Sequence, residues 1–224
     1  MRKFPFEGIY PTSTKDFSNQ IDLLAKEFEF VSLAQLRNAV NAESTTTFPE
    51  KAVMITFDDG FREQYEIAYP ILRERGIEGA FFVGGLPLEF KVNFVHKVQF
   101  LRAYTEPNTF FKDIEKQLDK AGIQVHKIDI EEKELVDCYP HDMPGVRRLK
   151  HILNYYISHD MQEEVIGKMF VDRFGAEADF AKDLYMSETQ ICHLSNQGSV
   201  GLHSYSHNPL SRMTKSEIVN DLNR

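Results

Sequence analysis

Tryptophan is absent from the 224 residues, although phenylalanine occurs 18 times and tyrosine 9 times. Without it the chain lacks the side chain most favoured for stacking on sugar rings, which argues against a dedicated carbohydrate-binding module. Cysteine is nearly absent. Cys138 and Cys192 are the only two and share no CxxC spacing, so the chain carries neither a disulfide framework nor a cysteine metal knuckle. Both are expected to be free, as suits a reducing compartment. No run of about 18 apolar residues occurs, so no membrane span is expected. The opening stretch, Met1-Arg2-Lys3-Phe4-Pro5-Phe6-Glu7-Gly8, has no apolar core of a secretory signal, and a cytoplasmic location is expected. Basic residues are outnumbered, 26 against 34 acidic, for a formal net charge of -8. That balance argues against nucleic acid or an anionic membrane as partner, since both demand basic surface. The length suits one domain with a substantial core, or one domain carrying an insertion.

The stretch that organises the chain is Val53-Met54-Ile55-Thr56-Phe57-Asp58-Asp59-Gly60. An apolar, β-branched run ends abruptly in two carboxylates and a glycine, which reads as a buried strand delivering two acids to its C-terminal rim. Adjacent carboxylates repel. A bound cation relieves that repulsion and can take one acid as ligand while the other acts as base. The alternative is a strand followed by an Asp-Gly turn with both acids solvated.

Near the C-terminus another short apolar run, Ser199-Val200-Gly201-Leu202, ends in His203-Ser204-Tyr205-Ser206-His207. Imidazole is the commonest protein ligand for zinc and similar metals. Two histidines plus one carboxylate leave coordination positions for water and substrate, the pattern of a catalytic rather than a structural site.

Thr56-Phe57-Asp58-Asp59-Gly60 together with His203-Ser204-Tyr205-Ser206-His207 resembles the first two motifs of the polysaccharide deacetylases, the NodB-homology or carbohydrate esterase family 4 group. Residues 1 to about 85 and the segment from Leu184 onward also read like that family. The resemblance implies an α/β fold, a distorted (β/α) barrel. It implies one divalent metal, zinc first, with cobalt, nickel or manganese as alternatives. It implies hydrolytic removal of an acetyl group from an N-acetylated sugar or glycoconjugate, acting on a linear amide C–N bond. Carried over by position, Asp58 is the general base, and Asp59, His203 and His207 are the metal ligands. No other cofactor is implied.

Along the chain, residues 4 to 10 are expected as a first strand or extended entry. Ser13 to Asp16 resembles a capping box, followed by a helix with Phe17, Ile21, Leu24 and Phe28 on one face. Ser32 and Gln35 have cap spacing for a second helix with Leu33, Leu36 and Val40 inward. A polar stretch, 41 to 50, leads to the organising strand. A helix from about Arg62 to Arg75 stops at Gly76, with a kink or early boundary at Pro70. Gly79-Ala80-Phe81-Phe82-Val83 is the next buried strand, which completes a βαβ unit and implies a parallel sheet. Ser187 and Gln190 cap a helix closed by Gly198, and Thr214 to Glu217 is another capping box.

Residues 91 to 183 are helical in pattern, with stretches near 94–101, 110–118, 147–156 and 161–174. They are expected as an insertion within a single deacetylase-like domain spanning 1–224, shaping specificity at the barrel mouth or serving as a packing or dimerisation element. Arg147-Arg148-Leu149-Lys150 reads as a solvated helix start, or as a basic cluster for an anionic substrate group. His96, His126, His141, His151 and His159 show no partner spacing.

The family's Arg-Pro-Tyr/Phe-type motif and late histidine have no counterpart after His207, and strand candidates near 6, 55, 81 and 201 are too few to close a barrel. The chain is therefore expected to be the N-terminal half or two-thirds of a deacetylase: a truncated piece, a shortened protein, or a chain whose barrel a partner completes, with a homo-oligomer as a further expectation. A catalytically silent, deacetylase-like metal- or partner-binding protein is the leading alternative. A metallophosphoesterase is a third, disfavoured because two-metal sites need more rim acids and histidines than are present.

Overall fold

A computed structural model of the chain describes residues 4–6, 8–41 and 48–224. It divides into two compact units. An α/β unit comprises Pro11–Asn93 and Ala176–Arg224, and a helical unit comprises Phe94–Gly175 with the chain start as far as Tyr10.

In the α/β unit, helix α1 (Thr14–Leu24) starts at Ser13. The Ser13 hydroxyl accepts from the Asp16 N–H at 3.0 Å and donates to the Asp16 carboxylate at 2.6 Å. Ile21 from this helix is buried against Leu72 and Ile77, with Phe17 alongside. Strand β1 (Glu29–Phe30) follows, then α2 (Leu33–Asn41). Ser32 and Gln35 cap α2 reciprocally, as their spacing suggested. Its expected inward face is formed only in part: Leu33 and Leu36 are half-buried, none of its residues is fully buried, and Val40 is 75% exposed. Within the polar stretch 41–50, residues 42–47 lie outside those described.

Strand β2 (Ala52–Val53) pairs in parallel with β1, and β3 (Ile55–Phe57) begins the main sheet. The helix after Gly60 changes character before Pro70: Gln64–Ala68 is a π-helical turn and α3 (Tyr69–Glu74) is regular. Proline has no N–H to donate back one turn, and a widened turn accommodates the missing bond. Gly76, at φ 69°, ends α3. Its N–H reaches the Arg73 carbonyl and the Ile77 N–H reaches that of Leu72, both at 3.0 Å, a Schellman closure. Strand β4 (Gly79–Val83) then runs parallel to β3.

The helical unit contains α4 (Phe94–Tyr104), α5 (Pro107–Lys120), α6 (Glu132–Cys138), α7 (Pro144–Tyr155), α8 (His159–Gln162) and α9 (Lys168–Phe174), the last two joined by a π-helical turn at Glu163–Gly167. Phe110, Ile114 and Leu118 of α5, Ile152 and Leu153 of α7, and Ile166 and Phe170 form its buried faces. The helices near 94–101, 110–118, 147–156 and 161–174 are present where periodicity placed them, whereas α6 was not foreseen. The described part of residues 4–10 is not a strand. The Phe6 N–H donates to the Ala103 carbonyl at 3.1 Å, and the Phe4 ring meets Phe100 and Tyr104 edge-on. Its aromatic residues serve helix packing rather than a ladder.

The basic cluster is occupied internally. Arg147 donates to the Asp142 carbonyl and pairs with Glu132, Arg148 donates to the Val125 and Ile128 carbonyls, and Lys150 donates to the Asp142 carboxylate at 2.6 Å. These side chains hold the loops before α7.

The chain returns to the α/β unit through α10 (Glu177–Leu184) and α11 (Glu188–Asn196), the latter opened by the expected Ser187–Gln190 capping box and closed at Gly198. Strand β5 (Val200–Leu202) pairs in parallel with β4, so the main sheet has the order β3-β4-β5, with Phe57 opposite Phe81 and Phe81 opposite Val200. Phe81, Val83, Met186 and Leu194 make the core beneath it. Helix α12 (Lys215–Leu222), boxed by Thr214 and Glu217, completes the unit. The α/β class is as expected. The described strands form one two-stranded and one three-stranded parallel sheet and do not close a barrel. No helix among the described residues is long and apolar enough to cross a membrane. Cys138 and Cys192 are both free and exposed.

Candidate metal centre

Three parallel strands end on one rim, and each end contributes to the candidate site. Strand β3 delivers Asp58 and Asp59, β4 ends at Val83 and Gly84, and β5 delivers His203. The His203 N–H donates to the Val83 carbonyl at 2.8 Å, which carries the ladder one residue past β5 and fixes where that imidazole starts.

The acid pair is set by an unusual turn. Asp59 and Gly60 both have positive φ, 73° and 68°. Aspartate tolerates this region better than most residues, and glycine is at ease in it. The Gly60 carbonyl accepts from the Met186 N–H at 2.9 Å, and Gln64 Nε2 donates to the Asp58 carbonyl at 2.6 Å. The turn thereby directs the two acids differently: Asp58 is exposed, while Asp59 is half-buried beside the histidines.

His203 and His207 stand with ring centroids 5.0 Å apart. Asp59 Oδ1 lies 3.0 Å from His207 Nε2 and 3.5 Å from His203 Nε2. One ligand atom from each of the three residues falls within a 4.8 Å cluster. Zinc binds imidazole nitrogen and carboxylate oxygen at about 2.0–2.2 Å, so two ligands at tetrahedral or octahedral angles stand about 2.9–3.5 Å apart. Both Asp59–histidine distances agree with that separation, and the donor set of one carboxylate and two imidazoles suits a borderline divalent cation. The residues present therefore fit such an ion.

The electrostatics point the same way. His207 is held above its ordinary value, first by the hydrogen bond to Asp59 and then by the charges of Asp59 and Asp58, against the opposing effect of burial. A proton bound at His207 occupies the place a cation would take. Behind the site, burial pushes the Tyr185 phenol well above its usual range, so it stays a neutral hydroxyl. Its oxygen accepts from the Asn93 N–H at 3.1 Å, and its ring stacks on Phe61. A cleft of about 460 Å³ opens over the histidines, with Leu202, Ser204, Asn208, Pro209, Leu210 and Leu222 as its other walls.

Residues 45–127 match the family model described as polysaccharide deacetylase. Over those residues the chain is similar to the polysaccharide deacetylases of the NodB type. The matched residues take in Asp58 and Asp59 and stop before the histidines. Within the chain, 42 residues are 43% identical to the Bacillus subtilis (strain 168) protein named "Putative polysaccharide deacetylase YxkH". That likeness covers 19% of this chain and 15% of the relative's length.

All four residues singled out in the sequence thus stand at one rim, with Asp59, His203 and His207 in mutual ligand distance and Asp58 adjacent in the chain. Sequence reasoning missed what holds the histidine segment. Asp221, on α12, accepts from the Tyr205 N–H at 2.9 Å and from the Ser206 N–H at 3.0 Å. The Gly85 and Leu86 N–H groups donate to the Ser204 and Tyr205 carbonyls at 3.1 and 3.0 Å. A signal existed for Asp221: a carboxylate in the last turn of a helix opposes the helix dipole and so calls for nearby donors.

Proposed function

We propose that this chain is a divalent-cation-dependent hydrolase that removes the acetyl group of an N-acetylated sugar in a polysaccharide or glycoconjugate. One observation carries the reading: a carboxylate from the end of β3 and two imidazoles from the segment after β5 bring one ligand atom each within 4.8 Å of one another, and the carboxylate lies inside the stretch that matches the deacetylase family model. Asp59, His203 and His207 hold the cation, zinc first. A cation held there supplies Lewis acidity, which polarises the acyl carbonyl and acidifies water. Asp58, next in the chain and more exposed, takes the proton from the attacking water, and the acyl C–N bond breaks as the sugar amine takes up a proton from Asp58 or from solvent. The open cleft beside the histidines receives the acylated sugar, with Leu202, Leu210 and Leu222 offering apolar contact to the acyl side. The α/β unit is read as part of a distorted (β/α) barrel, and the helical stretch 91–183 as an insertion within it.

The test is metal content and acetate release measured together on an N-acetylated oligosaccharide, for wild type and for Asp58→Asn, Asp59→Ala and His207→Ala. The reading expects about one cation per chain in wild type and in Asp58→Asn, acetate from wild type alone, and loss of both in the ligand variants. Cation without acetate release would replace the hydrolase by a silent, metal-binding relative. Absence of cation would remove the site assignment.

A further inference from the structure

The segment that carries the two histidines has a backbone that does not hold itself. Ser204 and His207 both have positive φ, 56° and 57°, an unfavourable region for residues with side chains. Internal support is slight: the His207 N–H donates to Ser204 Oγ at 3.1 Å, and the Asn208 N–H to Ser206 Oγ at 3.3 Å. Such a backbone persists only where its surroundings dictate it.

Asp221 supplies that dictation. It is 7% exposed although charged, and it sits in the last turn of α12, where the helix dipole disfavours a carboxylate. Its two oxygens divide between two consecutive backbone donors, Oδ2 taking the Tyr205 N–H and Oδ1 the Ser206 N–H. Those donors lie in the three-residue stretch between the histidines. Charge-assisted hydrogen bonds of this kind are roughly twice as strong as neutral ones. The opposite side is closed by Gly85, where a β-carbon would stand 2.4 Å from the Tyr205 ring, and the Arg224 guanidinium lies 4.2 Å from the centre of that ring. The segment is thus gripped between the loop after β4 and the last turn of α12.

We propose that Asp221 is the positioning residue of the metal centre: its carboxylate fixes the spacing of His203 and His207 by binding the two N–H groups between them, so that α12 serves as the brace of the cation site. This rests on the reading of Asp59, His203 and His207 as cation ligands. Asp221 itself touches neither the cation position nor substrate. It acts through the backbone, as outer partners of metal ligands commonly do, and loss of such a partner typically weakens affinity by roughly 10- to 100-fold.

The test uses the full chain and Co²⁺ as probe, in wild type, Asp221→Asn and Glu217→Ala. Asn keeps the shape of Asp but replaces one acceptor with a donor, so one of the two N–H groups loses its bond. Glu217→Ala weakens the cap of the same helix without touching the histidine segment. Three readouts are taken: Co²⁺ affinity, the visible spectrum of the Co²⁺ form, and hydrogen exchange of the Tyr205 and Ser206 amides in the cation-free protein. The proposal expects Asp221→Asn to lose roughly 10- to 100-fold in affinity, to shift the visible band, and to expose those two amides. Glu217→Ala, at a comparable loss of thermal stability, should keep both the band and the affinity within a few-fold of wild type. Equal losses in the two variants would make Asp221 a mere part of the helix and overturn the proposal. Unchanged affinity in Asp221→Asn would overturn it too. Faster amide exchange with no Co²⁺ binding even in wild type would refute the metal reading, and the bracing role with it, while leaving the clamp on the segment intact.

Discussion

Gly85→Ala is a one-atom test of how tightly the histidine segment is held. A β-carbon at Gly85 would stand 2.4 Å from Tyr205 Cδ2, 3.1 Å from its Cγ and 3.1 Å from its Cα. The ring atoms can swing aside, but the Cα can retreat only if the backbone between His203 and His207 moves. Gly85 itself has φ -79° and ψ -42°, ordinary helical values that alanine adopts freely. Restricting the unfolded chain would therefore favour the variant by about 0.4–1 kcal/mol. Overpacking a fixed neighbour costs about 1–3 kcal/mol. Taking the middle of each range, the difference is a net loss of about 1–2 kcal/mol, concentrated on the histidine segment. If it is expressed wholly as displaced ligands, Co²⁺ affinity should fall by about 5- to 30-fold. Gly145→Ala is the control: no atom lies within 4 Å of its β-carbon, and its φ is not positive, so it should be neutral or gain about 0.4–1 kcal/mol. Urea unfolding and Co²⁺ titration of both variants give the comparison. A Gly85→Ala protein as stable and as tight for Co²⁺ as wild type would refute the account of how the segment is packed.

Two further outcomes are expected. In the cation-free protein the His207–Asp59 pair raises the folded-state value of His207 above 6.5, so its stabilising contribution is complete below that value and is lost as pH rises through the raised one. Cation affinity should run the opposite way, falling as pH drops through the same raised value. Calorimetric titration across pH 6–9 with wild type and His207→Asn checks both, and a flat wild-type affinity would count against the coupling. In the helical unit, Lys97 is 2% exposed and its ammonium donates to both Glu163 oxygens, at 2.6 and 2.9 Å. Glu163→Ala should cost towards the lower end of about 3–5 kcal/mol, since the half-exposed Glu163 position admits water. Denaturant unfolding of the variant measures it, and a loss below 1 kcal/mol would show that other partners already satisfy the lysine.

The legible parts of the sequence were those where local chemistry and tertiary structure agree. The Asp58–Asp59 and His203–His207 motifs each follow an apolar run, and parallel strands naturally bring such ends to one rim. The Ser32–Gln35, Ser187–Gln190 and Thr214–Glu217 caps were readable because a cap joins residues three apart. Gly76 and Gly198 were readable as helix stops because a left-handed residue is needed there. What stayed hidden depends on distant partners. Phe4 and Phe6 look like strand residues, and only the presence of Phe100, Ala103 and Tyr104 makes them helix-packing residues. The α2 leucines have the right period, but no neighbouring surface covers them fully. Arg147, Arg148 and Lys150 look like an anion site until the carbonyls of residues 125, 128 and 142 are seen to occupy Arg147 and Arg148, and the Asp142 carboxylate to occupy Lys150. Asp221 is an ordinary helical aspartate in sequence and becomes informative only beside Tyr205 and Ser206.

The central claim is that Asp59, His203 and His207 hold one divalent cation. Its most direct measurement is calorimetric titration of the chelator-treated protein with Zn²⁺ at neutral pH, alongside His207→Ala. The account predicts a single saturable site in wild type that is abolished or weakened by orders of magnitude in the variant. No saturable binding in wild type, or equal binding in both proteins, would contradict it.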